Sequence, residues 1–337
     1  LKKYKNQISI IFLFILLIVS ICISLMLGRY EITMKQILQI SLEKITGIKR
    51  INDPMIYKII YEIRLPRIVA AVVVGGALSI SGSVFQALFR NPMVSSDILG
   101  VTSGAGFGAS LGILLGFCYW KVELLAFVFG IFAVMITYFL SYIVGKESHY
   151  ILFLILSGMV ISTLFKSFIS CVKYLADPND ALQSITFWLM GSLTQIKQDE
   201  LLWLIIPILL CSLPLLWTGW KLNAMAFGEE EAMALGIQTE RLKVIIIICS
   251  TIITSVSVSM TGIIGWIGLI IPHLVRMAVG PDNQMLIPAS MFMGAIYLLF
   301  IDNLSRTLLS VEIPISILTS IIGVPFFIFL LFRTRRV

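Results

Sequence analysis

Few residues of this chain could do chemistry, and their spacing excludes most of it. Two histidines occur, His149 and His273, and neither has a second His or Cys at ligand spacing, so no metal site is expected. Cys22, Cys118, Cys171, Cys211 and Cys249 stand singly inside apolar runs and read as small core residues, with no disulfide framework or cluster among them. The stretch VGKES at Val144–Ser148 resembles the tail of a phosphate loop. However, Leu140 stands where that loop needs its first glycine, and Glu147 replaces the hydroxyl residue. Any energy from ATP must therefore come from a partner. No nucleophile–base pair or cofactor motif stands out, so the sequence argues against an intramembrane enzyme.

Isolated charges are more informative. Lys166 is the one charge deep within an apolar span, where its cost often marks function. It reads either as part of a pathway that attracts an anionic substrate or as a lysine that snorkels or bonds a neighbouring carbonyl. Without a carboxylate partner it is poor equipment for the rival class, an ion-coupled secondary transporter. Asp97 follows Ser95 and Ser96 and reads as a helix cap. RLPR at Arg64–Arg67 opens a span with Pro66 in a first helical turn, where its missing N–H costs nothing. Arg64 and Arg67 then face the outer water. Arg306 ends another span, with Asp302 one turn earlier. These arginines are either interfacial anchors or a docking patch for an acidic partner.

The stretch NAMAFGEEEAMALGI, residues 223–237, is too short and too charged to cross a membrane. Gly228 suits an N-cap, and Glu229, Glu230 and Glu231 fill a first turn, where each carboxylate stabilises the helix by about 0.3–1 kcal/mol. Gly236 suits the left-handed exit. Between them, Ala232, Met233, Ala234 and Leu235 form a small apolar patch. A helix of about seven residues is marginal alone and must pack against something, here another polypeptide on the cytoplasmic side.

The elements that position these residues are spans. The chain has 337 residues, 58% of them hydrophobic and 13% charged, against about 25% charged in soluble domains. Apolar runs of about 20 residues match roughly 30 Å of hydrocarbon. The pattern predicts an all-α polytopic membrane protein with about ten transmembrane helices, over 8–28, 64–90, 97–116, 122–144, 150–174, 200–220, 241–262, 264–280, 284–304 and 313–332. The first, Ile8 to Leu27, is too long for a signal-peptide core and lacks a cleavage site. The eighth, short and glycine-flanked with Pro272 inside, suits a broken helix.

An even number of spans puts both termini on one side. The positive-inside count ties, and the basic ends Lys2–Lys5 and Arg333–Arg336 favour a cytoplasmic placement. Net charge is +7, but no basic face lies outside the spans, so nucleic acid is excluded as a partner and membrane lipid expected. Residues 32–45 place Ile37, Leu38, Leu42 and Ile45 near one face, as in a helix lying on the membrane surface. Small residues recur every fourth position, as Ala71, Gly75, Ser79, Ser83 and Ala87 and as Gly100, Gly104, Gly108, Gly112 and Gly116. That spacing predicts close packing within the bundle. One domain, 1–337, is expected.

Over nearly its whole length the chain resembles the FecCD-type permeases of ABC importers for iron–siderophore, haem and cobalamin. The matching segments include RLPRIVAAVVVGGALSISGSVFQALFRNPMVSSDILGVTSGAGFG, FGEEEAMALGI, GIIGWIGLIIPHLVRMAVG, LIPASMFMGAIYLLFIDNLSRT and EIPISILTSIIGVPFFIFLL, in the family's order. The resemblance implies a type II ABC importer permease in a bacterial cytoplasmic (inner) membrane. It implies pairing as a homodimer or heterodimer, two cytoplasmic ABC ATPase subunits and an extracytoplasmic substrate-binding protein. Gly228 to Ile237, within a cytoplasmic segment of about 225–237, would be the coupling helix. Arg64, Arg67 and Arg306 would receive glutamates of the binding protein. The substrate implied is a metal chelate, a ferric siderophore first, with haem, cobalamin and molybdate as alternatives. Asn283 and Gln284 replace the His–Arg pair of many relatives, so the 280–288 loop is given no role, and Trp266 stands where Phe is usual, which preserves the aromatic character.

Overall fold

The structure, a computed structural model, describes residues 2–28, 30–46, 53–144 and 150–334. Gly145 to Ser148 of the phosphate-loop-like stretch, His149, Arg335 and Arg336 lie outside the described residues.

Among those residues all regular structure is helical. The helices are α1 (Lys2–Met26), α2 (Met34–Thr46), α3 (Pro54–Lys58), α4 (Leu65–Leu88), α5 (Val101–Leu114), α6 (Tyr119–Val144), α7 (Tyr150–Leu175) and α8 (Ala181–Leu189). They continue as α9 (Leu201–Leu216), α10 (Gly219–Met225), α11 (Glu229–Ala234), α12 (Thr239–Thr261), α13 (Ile267–Val279), α14 (Asn283–Thr307) and α15 (Ile315–Thr334). Seven are long and apolar enough to cross a membrane, with α3 and α4 counted as one continuous helix. Three apolar helices are shorter: α5, α13 and α15. Each expected span thus has its helix.

Two boundaries differ from the sequence reading for identifiable reasons. Pro66 lies in the first turn of α4, as expected, but the helix holding Arg64 starts at Pro54, where Asp53 accepts from the Met55 N–H at 2.9 Å, so α4 continues an earlier helix. Ile59–Arg64 widens into a π turn in which Leu65 donates to the Ile60 carbonyl, and this loosened ladder accommodates a proline that has no N–H to give. The eighth span is the 13-residue α13, about 20 Å long. A non-helical stretch precedes it, with Gly262 at φ +70° and Trp266 at φ +73°. Non-helical backbone at that depth is tolerated because it lies inside the protein.

Helix α4, buried nearly all round, is the centre of the bundle and packs on α14, α13, α12 and α9. A second group forms around α5, which packs on α6, α7 and α12. The small-residue stripes explain both. A Cβ on Gly75 would lie 2.3 Å from the Gly294 carbonyl oxygen, so α4 and α14 meet backbone to backbone. Cβ atoms on Gly104 and Gly108 would lie 2.4 Å from the carbonyl oxygens of Phe129 and Leu125 in α6. Lipid gives helices no hydrophobic reason to associate, so this close approach is the attraction. The cysteines depart from expectation: Cys118 and Cys171 are exposed and the other three half-buried.

Candidate functional site

One end of the bundle is organised around α11. Gly228 lies at its N-terminus, the first turn is Glu229, Glu230 and Glu231, and Gly236 at φ +81° closes it. Ile237 N–H donates to the Ala232 carbonyl at 3.0 Å and Gly236 N–H to Met233 at 2.9 Å, the paired bonds of a Schellman exit. The motif's apolar contact is also in place, since Ala232 and Ile237 are both buried. Six helical residues are too few for independent stability, and neighbours supply the rest. Buried Lys243 near the start of α12 bonds Glu229 at 2.7 Å and Glu240 at 2.8 Å. Arg90 donates to the Met225 carbonyl just ahead of α11. Asn223 in α10 donates to Asp282 at 2.7 Å and accepts from the Asn283 N–H at 2.9 Å, tying this end to the start of α14.

The sequence reading missed these supports. For Lys243 a signal existed: it lies 14 residues after Glu229 and three after Glu240, but reads as an ordinary span-flanking charge. Asn223 and the 280–288 loop had no such signal. Held this way, α11 turns Ala232 inward and leaves Met233 and Leu235 53% and 62% exposed. Phe227 beside them is also exposed.

The far end corrects an expectation. Arg64, Arg67 and Arg306 do not face open water; they are 3%, 5% and 8% exposed. Two of them serve the last turn of α1, whose final carbonyls have no intrahelical donor and carry the negative end of the helix dipole. Arg64 donates to the Leu25 and Met26 carbonyls and to Tyr30, and Arg306 donates to the Ser24 carbonyl at 2.7 Å. Arg67 instead meets Asp302, itself fully buried, at 2.7 Å and Glu312 at 2.9 Å. Asp302 also faces Arg306 at 3.7 Å, so one carboxylate sits between two guanidiniums. Thr194 donates to Glu312 at 2.6 Å and brings in the loop after α8. Buried charge is tolerable only when compensated: Arg67 and Arg306 turn inward onto Asp302, and Arg64 onto the carbonyls at the end of α1.

Lys166 belongs to neither group. It lies on an exposed face of α7 with Thr163, Ser167 and Ser170. Those hydroxyls donate to the carbonyls of Met159, Thr163 and Lys166 at 2.8, 3.1 and 3.0 Å. Asp97 accepts from Thr102 and caps no helix with its side chain; its carboxylate is within electrostatic reach of Lys166. A lysine facing hydrocarbon at that depth would cost about 2.5–3.5 kcal/mol. Among the described residues no group of His, Cys, Asp and Glu could hold a metal ion.

An all-helical, multi-pass bundle with discontinuous helices, internal charge pairs and one short helix presented at an end defines a membrane transport subunit. The chain belongs to the FecCD transport family, whose model matches residues 16–333. It is 42% identical to the molybdate import system permease protein MolB of Haemophilus influenzae, over 96% of this chain and 94% of that one. A probable iron chelatin transport system permease of Helicobacter pylori is 37% identical, over 83% and 84%. The hemin transport system permease HmuU of Yersinia pestis is also 37% identical, over 85% and 86%. A solved metal-chelate type ABC transporter in an inward-facing conformation superposes with a TM-score of 0.85 at 40% identity, over 96% of this chain and 98% of that one. The chain is thus a permease of an ABC importer for a metal chelate or related substrate, a transport component and not an enzyme.

Proposed function

We propose that two such permeases pair across a translocation path and that α11 is the coupling helix, seated in a groove of a cytoplasmic ATPase. The supporting observation is the exposed Met233 and Leu235 pair on a helix otherwise fastened by Ala232 and Lys243. A firmly held helix with an uncovered apolar edge transmits displacement to the spans when a partner grips that edge. In this reading the α11 end and both termini are cytoplasmic, and the membrane is the bacterial inner membrane. An external binding protein docks on the far end. Support for the arginine patch is narrower than the sequence implied, since Arg64 and Arg67 are buried while Arg306 borders an open recess beside Gly28 and Thr307 to Ser310.

The cargo we propose is a ferric siderophore, supported by the 37% identity to the iron chelatin permease over 83% of this chain. Molybdate is the second reading, because the relative named for it is 42% identical over 96% of the chain, more than the iron chelatin relative on both measures.

Replacing Met233 and Leu235 together with Asp is expected to abolish ATP-driven uptake and ATPase co-purification while the permease stays folded. Unchanged uptake with a bound ATPase would refute the coupling role. Equilibrium binding of ferric siderophores and of molybdate to the cognate binding protein decides the cargo.

A further inference from the structure

We infer that the exposed face of α7 around Lys166 lines the solute path and that Lys166 selects for negatively charged solutes. This rests on the paired-permease reading above and adds the charge of the cargo to it. Lys166 lies nine residues before Leu175, the end of α7, which is about 13 Å along the helix and farther than a four-carbon stem reaches by snorkelling. It takes part in none of the ion pairs found among the described residues. Its carboxylate neighbour Asp97 lies within electrostatic reach of it, forms no ion pair with it and accepts from Thr102.

Thr163, Ser167 and Ser170 stand on the same exposed face, one turn apart along the helix. Each gives its proton to its own helix backbone, so these oxygens can accept from water but have no proton to offer an anion, and the selecting charge is that of Lys166 alone. A charged, hydroxyl-lined face at mid-depth is stable against water and not against lipid. When a second copy encloses that water, two Lys166 ammonium groups face one passage. The field between low-dielectric walls then raises the local concentration of anions and lowers that of cations. An oxoanion and an anionic metal chelate share the required chemistry.

The test uses the whole importer in vesicles, with Cys22, Cys118, Cys171, Cys211 and Cys249 replaced by Ser and Ser170→Cys as the reporter. An anionic sulfonate thiosulfonate is expected to label Cys more than a cationic trimethylammonium one by about tenfold relative to a free thiol, corresponding to about 1.4 kcal/mol. Lys166→Gln should remove the preference, Lys166→Glu reverse it and Lys166→Arg keep it. Leu209→Cys, on the exposed apolar side of α9, should stay unlabelled by both reagents. No labelling at Ser170→Cys, or labelling without charge preference, overturns the inference. Uptake of molybdate and of an iron(III) tris-catecholate, with ATPase activity as the control for assembly, separates the two sources. Lys166→Gln should slow whichever is carried about tenfold with ATPase activity intact. If the Ser170→Cys reporter labels as expected yet the wild-type importer shows no ATP-driven uptake of either, the assigned cargo falls and the charge selection stands.

Discussion

The two ends of the bundle use charge in opposite ways. At the far end, Arg67, Asp302 and Arg306 face one another inside the protein, half-exposed Glu312 closes the group from outside, and together they join α4, α14 and the turn before α15. At the α11 end, Lys243 and Glu229 also pair, but what they hold is a helix whose apolar side chains remain uncovered. The first arrangement closes a seam. The second presents a handle. Charge alone therefore does not mark a contact surface here; the decisive property is whether the paired groups leave something exposed.

The strongest way to break that contrast is Asp302→Ala. The carboxylate is fully buried between two guanidiniums, so its removal leaves buried Arg306 without its ion pair and Arg67 with half-exposed Glu312 alone, a loss worth about 3–5 kcal/mol. The expected outcome is loss of most folded permease, read as a collapse in yield and thermal stability in detergent, with Asp302→Asn milder because it keeps an acceptor for Arg67. Reversing Arg67 to Glu should be at least as damaging, so a docking defect in that variant would report folding. A variant of Asp302→Ala with wild-type stability would show that the far-end cluster is dispensable and end the comparison.

Lys243→Met sharpens the other side. Lys243 is buried but its partners Glu229 and Glu240 are partly exposed, so the pairs contribute about 1 kcal/mol. Stability should fall by a few degrees at most, while ATP-driven uptake falls further because α11 is less firmly held. Equal proportional losses of stability and uptake would mean that Lys243 only supports the fold.

What the sequence disclosed and concealed follows the range of the interactions. Helix periodicity, the position of Gly236 and the small-residue stripes are local, set within four residues, and each could be read directly. The Arg67 pairs span 235 and 245 positions, and a lone sequence contains no register for such contacts. Arg64, Arg67 and Arg306 at the ends of apolar runs therefore looked like surface charges, although Asp302 was visible one turn before Arg306. The π turn was hidden for a related reason: Pro66 signals either a helix start or a disturbed ladder, and only the continuous helix from Pro54 decides between them. Helix α8 is apolar but only nine residues long, too short to register as a span, and the Asn223–Asp282 tie lies between spans, where hydropathy carries no signal.

The smallest and most specific effect is expected at Gly236. A Cβ there would meet no atom within 4 Å, so the space is open and only the backbone conformation, φ +81°, opposes a side chain. Gly236→Ala should cost about 1 kcal/mol through the left-handed region, whereas Gly236→Asn should cost less, because asparagine tolerates that conformation. Both changes leave the distant Arg67–Asp302 seam untouched. If α11 acts as a handle, Gly236→Ala should reduce ATP-driven uptake measurably and speed proteolysis near residues 226–238, with Gly236→Asn close to wild type on both. If alanine and asparagine lower uptake equally, the left-handed exit is not what holds Met233 and Leu235 in place, and the coupling role would have to rest on Lys243 and Ala232 alone.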